Sequence, residues 1–319
     1  MNAVIANAAE SRPAHADEMP DPFVLAVDGV WYAYATSPGP SSQGEPRVLR
    51  LLVSEDFKTW RRCPNPLIAP AGADGCSFWA PEVAQGDDGR FYLYYSFGRE
   101  ADQQHRLRVA VANTPEGPFE DCGVDLVDPA EQRFVIDPHP FRDDDGTWWL
   151  YYARNFVDQA EGNHFGTGLA VEQLTSMTSL SGNPTTILRP RHDWTLFEAD
   201  RDVPAYGGRF DWHTIEGPFL RKHAGRYWLM YSGGNYAGPD YGVGVVSAES
   251  PTGPYTGDTN RPVLLSRDLT GLAGPGHHSV TLGPDGNDWI AFHAWNSGRT
   301  RRQMHLAPLR WTASGPELR

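Results

Sequence analysis

Phe134-Val135-Ile136-Asp137-Pro138-His139-Pro140-Phe141, followed by Asp143-Asp144-Asp145-Gly146 and Thr147-Trp148-Trp149-Leu150-Tyr151-Tyr152, reads as two strands joined by a tight turn. Asp-Gly supplies the positive φ that a hairpin turn requires. The aromatic run suits a pleated, half-buried surface. Asp137 closes an apolar strand and precedes a proline that cannot donate a backbone hydrogen bond. An acid in that position is either held by a structural partner or directed at a ligand.

The second-strand signal recurs as Gly29-Val30-Trp31-Tyr32, Gly89-Arg90-Phe91-Tyr92, Gly146-Thr147-Trp148-Trp149, Gly225-Arg226-Tyr227-Trp228 and Asn287-Asp288-Trp289-Ile290, at steps of about 60 residues or more. A third strand follows most copies, as in Leu107-Arg108-Val109-Ala110-Val111 and Gly242-Val243-Gly244-Val245-Val246. Repeats of several short strands at this period predict propeller blades around an axis. The expected fold class is therefore all-β, a single five-bladed β-propeller over residues 20–319, with residues 1–19 as a flexible lead-in. Residues 312–319 read as a frayed tail, and residues 38–46 as a Gly/Ser/Pro loop. No repeat strand is evident between His192 and Gly208 in the long fourth unit, and a long connection of this kind often shapes a binding site.

Composition narrows the function. A net charge of −13 argues against nucleic acid, whose phosphates need a basic field. No window approaches the ~18 apolar residues of a membrane span. Residues 1–20 lack a signal-peptide layout, so the expected location is cytoplasmic, or secreted if a leader has been removed. The three cysteines, Cys63, Cys76 and Cys122, form no CxxC pair and read as small packed thiols. Ser54-Glu55-Asp56-Phe57-Lys58-Thr59-Trp60 reads as a strand-end turn.

Aligning the units on their aromatic strand puts a titratable residue at the end of each first strand: Asp21, Glu82, Asp137, Glu216 and the His277-His278 pair. First strands of propeller blades are innermost, so these side chains should converge at one end of the central channel. Crowded, desolvated carboxyls have divergent pKa values. Glycoside hydrolysis needs that divergence, because one carboxyl must be protonated and another ionised.

Asp21-Pro22-Phe23, Trp79-Ala80-Pro81-Glu82, Ile136-Asp137-Pro138-His139-Pro140-Phe141, Ile215-Glu216-Gly217-Pro218-Phe219 and Gly274-Pro275-Gly276-His277-His278-Ser279, in this order, resemble glycoside hydrolase family 43 over residues 20–311. The resemblance implies a five-bladed propeller that hydrolyses arabinose- or xylose-containing glycans with inversion. It implies Asp21 as general base, Glu216 as general acid and Asp137 as the acid that orients and tunes Glu216. Inversion predicts base and acid ~6.5–9.5 Å apart. Trp79 resembles a sugar-stacking aromatic and Arg302 an arginine near the pocket; Glu82 and His278 are further candidate substrate contacts. His277 matches a histidine beside a largely water-coordinated central ion, usually calcium; no organic cofactor is expected. His139 and His213 read as supporting residues. The expected activity is α-L-arabinofuranosidase, with β-xylosidase and endo-arabinanase as rivals within the same chemistry. A non-catalytic sugar-binding propeller is the rival of another class, and it would not need all three acids.

Overall fold

The computed structural model describes residues 12–38, 47–99 and 104–319. The expected loop at 38–46 therefore lies almost wholly outside the described residues, as does the first part of the lead-in. Strand makes up 56% of the described residues and helix 4%, so the fold is all-β. Each predicted aromatic run is a strand: Val30–Ala35, Phe91–Arg99, Trp148–Phe156, Arg226–Gly233 and Asp288–Trp295. Each pairs antiparallel with a strand before it and a strand after it, as hairpin turns dictate.

Two of these meanders form the first and last sheets, each of four strands; a five-stranded sheet follows the first. The third and fourth meanders join into one nine-stranded sheet, because Gly166–Ser176 pairs in parallel with Gly208–His223. The close approach needs Gly166, where a Cβ would lie 1.8 Å from the carbonyl oxygen of His213. The leading strands Phe23–Val27, Ser77–Gln85, Val135–Arg142, Gly208–His223 and Ala273–Leu282 touch one another in a closed cycle. Large side chains fill the space between sheets. Tyr34, Phe78, Tyr95, Phe119 and Met230 share one cluster and are fully buried, each worth roughly 1.5–3 kcal/mol of transfer free energy.

Both chain ends differ from expectation. Residues 14–19 run along the third strand of the last sheet, with Ala14 N–H donating to Met304 O and Met19 N–H to Arg302 O, and Met19 is buried. The backbone edge of Arg302–Thr312 attracts this segment, because an unpaired ladder is costly to leave open. The tail expected to fray forms the strand Gly315–Leu318, which turns back on Arg302–Thr312. Asp56 locks its turn by accepting from Lys58 N–H and Thr59 N–H, as a structural turn requires. The three cysteines are free thiols.

Ser279 stitches the first sheet to the last. Its hydroxyl accepts from Val24 N–H and donates to Pro22 O, both at 3.1 Å, in a fully buried position. Ser279→Ala should cost about 1–3 kcal/mol, since it strands a buried donor and a buried acceptor. Denaturant unfolding checks this, and an unchanged midpoint would show that the ring is closed by other contacts.

Candidate active site

Four of the five leading strands carry a bulge; the first, Phe23–Val27, pairs without a break, and Asp21 stands just before it. Register shifts interrupt the pairing of the four between Trp79 and Glu82, Ile136 and His139, Glu216 and Phe219, and Gly276 and His278. At each of these places sits one residue in the left-handed region: Asp21 (φ 55°), Ala80 (44°), Asp137 (58°), Gly217 (54°) and His277 (44°). Left-handed backbone costs a non-glycine residue of order 1–3 kcal/mol and persists only when its surroundings hold it. Here the holding contact is a hydrogen bond from that residue's N–H to a side chain of the preceding sheet. Asp21 N–H donates to His293 Nδ1 (3.1 Å), Ala80 N–H to Thr36 Oγ1 (2.8 Å), Asp137 N–H to Ser96 Oγ (2.9 Å) and His277 N–H to Ser232 Oγ (2.8 Å). Gly217 N–H donates to the Asp137 carboxylate itself, at 3.0 Å to Oδ2.

The acceptors were missed in the sequence, yet a signal for them exists. Thr36, Ser96, Ser232 and His293 each stand seven residues after the hairpin glycine of their unit, Gly29, Gly89, Gly225 and Gly286. The third unit, counted from Gly146, has Ala153 there. Alanine has no acceptor, and Asp137 supplies one instead.

These left-handed positions direct Asp21, Asp137 and Glu216 into one cavity of about 380 Å³, which Trp79, His277 and Arg302 also line. Glu82 and His278 do not line it. They face a separate, much smaller cavity of about 10 Å³. The bulge explains the displacement. In the second sheet the left-handed position falls to Ala80, so Glu82 lies two residues further along the strand. Its Oε2 meets His139 Nδ1 at 2.7 Å, and His139 Nε2 accepts from Leu220 N–H. Glu82 is thus a buried partner for His139 rather than a substrate contact. His278 is buried, with neither ring nitrogen hydrogen bonded, and burial lowers its pKa to about 3. His139 and His213 are supporting residues; His213 stacks on His164 with ring centres 3.9 Å apart.

Asp21 and Glu216 have opposite environments. Burial alone would raise the Asp21 pKa, but Arg302, His277 and His293 together hold it well below the usual range. Arg302 Nη1 is 3.1 Å from Oδ1, and Thr36 Oγ1–H donates to Oδ2 at 2.6 Å. Glu216 is pushed up to about 7, chiefly by burial; the Tyr241 hydroxyl, donating to Oε1 at 2.7 Å, opposes the shift, and the Asp21 charge adds to it. Asp137 is also raised, first by burial and then by the Glu216 and Asp21 charges, with the Gly217 N–H opposing. Glu216 and Asp137 therefore titrate as a pair that holds a proton near neutrality.

Trp79 lies flat on His105, with ring centres 3.8 Å apart and planes at 18°. His105 is buried and kept neutral by burial, so its ring acts as a rigid backing. Another stretch of the wall comes from the long connection. It forms the strand Leu196–Val203, paired antiparallel with the first part of the 16-residue strand Gly208–His223. Phe197, Arg201, Tyr206 and Trp212 of this hairpin line the cavity. Irregular pairing, with shifts after Leu196 and Glu198, hid the strand from periodicity.

His277 is turned toward Asp21, with Nδ1 3.5 Å from Oδ1. Among the described residues, no group of three or more His, Cys, Asp or Glu side chains could hold a metal ion. One imidazole is a poor anchor for calcium, which takes oxygen ligands. The expected ion, held largely by water beside His277, needs no such group, and no step below uses it.

The Glu216 shift has a consequence for stability. The folded side chain keeps its proton to about pH 7, against an ordinary value of 4.5. The folded state binds more protons across that interval, so stability is lost as pH rises through it. Glu216→Gln should therefore raise the thermal midpoint at pH 8, with the gain shrinking toward pH 5. An equal effect at both values would contradict a raised pKa.

Comparison with known proteins agrees with this geometry. The profile of Glycosyl hydrolases family 43 matches residues 11–316. A β-D-galactofuranosidase from Aspergillus niger is 30% identical over 75% of this chain and 64% of its own length. An extracellular exo-α-(1→5)-L-arabinofuranosidase from Streptomyces avermitilis is 26% identical over 94% of this chain and 61% of its own. The chain thus spans somewhat under two thirds of these curated relatives. Among solved structures, a thermostable family-43 glycoside hydrolase superposes with a TM-score of 0.78 at 29% identity, covering 95% of this chain and 93% of the other. The family's solved neighbours are β-propellers, and this chain shares their fold. The chain belongs to glycosyl hydrolases family 43.

Proposed function

We propose that the chain is a five-bladed propeller glycosidase that releases L-arabinofuranose from arabinose-containing glycans with inversion. The ring of five leading strands supports the blade count. One observation carries the chemistry: a carboxylate held ionised, Asp21, and a carboxyl protonated up to about pH 7, Glu216, share one sugar-sized cavity.

In this reading, the Asp21 carboxylate removes a proton from a water molecule as the water oxygen attacks the anomeric carbon. The bond from that carbon to the leaving oxygen breaks, and Glu216 donates its proton to that oxygen. Arg302 keeps Asp21 ionised and fixes one of its oxygens. Asp137 tunes Glu216 from the next sheet, and its bond to Gly217 N–H fixes the strand that bears Glu216. The backed face of Trp79 offers the C–H side of a sugar ring a flat apolar surface.

Furanoside specificity draws support from the furanosidases among the relatives. A β-xylosidase from Xylanibacter ruminicola and an endo-arabinanase from Bacillus subtilis are also related, at 28% and 23% identity. The hairpin wall favours exo over endo action, because it narrows the space that a continuous polymer needs. A non-catalytic sugar-binding propeller would have no use for three acids held in unlike ionisation states.

Glu216→Ala and Asp21→Ala should each lower turnover by about two to four orders of magnitude while the protein stays folded. Normal turnover in either folded variant would remove its assigned role. Paired nitrophenyl arabinofuranoside and xylopyranoside, with linear and branched arabinan, decide the substrate. Faster hydrolysis of the xylopyranoside would replace arabinose by xylose, and release of internal fragments from linear arabinan would replace exo action by endo.

A further inference from the structure

The cavity contains two guanidinium groups, and only one is committed. Arg302 is spent on Asp21. Arg201 sits in the strand Leu196–Val203 and lines the same cavity. Its Cζ atom lies 4.8 Å from the Phe197 ring centre and 5.5 Å from that of Trp212. The two rings hold the guanidinium in place and strip part of its water, as stacked arginines require. Among the described residues its ion pair is with Glu198, at a loose 3.7 Å, and the Glu198 side chain is 56% exposed. An arginine held this way keeps most of its five N–H donors for a ligand.

A neutral arabinose or xylose gives no reason for a second cation. Its hydroxyls could be served by the uncharged donors already in the wall, such as Asn155 and Thr214. A sugar carboxylate is different. Asp21 is ionised, and the chain carries a net charge of −13, so an anionic residue entering the cavity meets repulsion. A fixed cation in the cavity wall removes that penalty for one carboxylate in one place. The planar fork of arginine matches a carboxylate in two parallel hydrogen bonds.

We propose that Arg201 is a specificity-determining residue that binds the carboxylate of a uronic-acid residue in the glycan whose arabinose or xylose unit is cleaved. This deepens the glycosidase reading and rests on it for the site. The ligand is then a neutral glycan carrying isolated uronic acids rather than a continuous polyanion, which the overall charge would repel.

The test is by calorimetric binding, so that it does not depend on turnover. The ligands are a xylo-oligosaccharide bearing one glucuronic acid and the same oligosaccharide without it, each titrated into the wild type, Arg201→Lys and Arg201→Ala. The wild type should bind the acidic ligand at least about tenfold tighter than the neutral one. Arg201→Ala should erase that preference by weakening the acidic ligand at least about tenfold more than the neutral one, and Arg201→Lys should retain part of it. Added salt should weaken only the acidic ligand. Equal wild-type affinity for the two ligands, or equal weakening of both in Arg201→Ala, would overturn the inference and leave Arg201 as a packing residue of the hairpin. Hydrolysis of the neutral nitrophenyl arabinofuranoside, measured alongside, reports on the glycosidase reading separately. Wild-type failure on both this substrate and the nitrophenyl xylopyranoside would sink that reading whatever the calorimetry shows.

Discussion

One backbone N–H per sheet governs this molecule. At the bulge of four leading strands, and just before the first, a residue is held in left-handed geometry, and its N–H needs an acceptor away from the regular ladder. The neighbouring sheet supplies that acceptor: His293, Thr36, Ser96, Asp137 and Ser232 in turn. The sheets are thereby locked to one another at the height where the cavity opens. The same bond that closes the ring also aims the side chains. Asp21, Asp137 and His277 occupy the strained positions themselves, and Glu216 precedes the strained Gly217. Strain of this kind persists only where the surroundings over-determine it, and here the over-determination lies between successive meanders rather than within one.

The third sheet shows how structure and chemistry share a residue. Its acceptor position holds Ala153, and the Asp137 carboxylate bonds the next sheet's Gly217 N–H directly. The carboxylate is therefore positioned by a structural requirement before any substrate arrives. It stands beside Glu216, whose charge adds to burial in disfavouring ionisation of Asp137. Asp21 escapes this because Arg302 and the two imidazoles outweigh its burial. Three acids on equivalent strands acquire unlike proton affinities from their immediate neighbours alone. That asymmetry is what acid–base catalysis at a glycosidic bond requires.

Much of this was legible in the chain. The aromatic strands and hairpin glycines repeat clearly enough to give the all-β class and the convergence of three acids. Trp79 and Arg302 reach the cavity as the resemblance implied. What escaped was anything that depends on bulge position. A bulge shifts a strand's facing by one residue, so counting from the aromatic run grouped Glu82 and His278 with the larger cavity, whereas they line the smaller one. The hairpin wall escaped because its register shifts break the alternation that marks a strand. The chain ends escaped because their order comes from a distant strand edge, which no local pattern encodes.

The account's central claim is that Asp21 and Glu216 act from separate positions on one sugar, one through water and one on the leaving oxygen. Proton NMR of the product in the first minutes of hydrolysis, before the free sugar equilibrates, tests it most directly. An α-arabinofuranoside should release the β-anomer first. Initial release of the α-anomer would mean a covalent intermediate on one carboxylate, and would contradict the roles assigned to both.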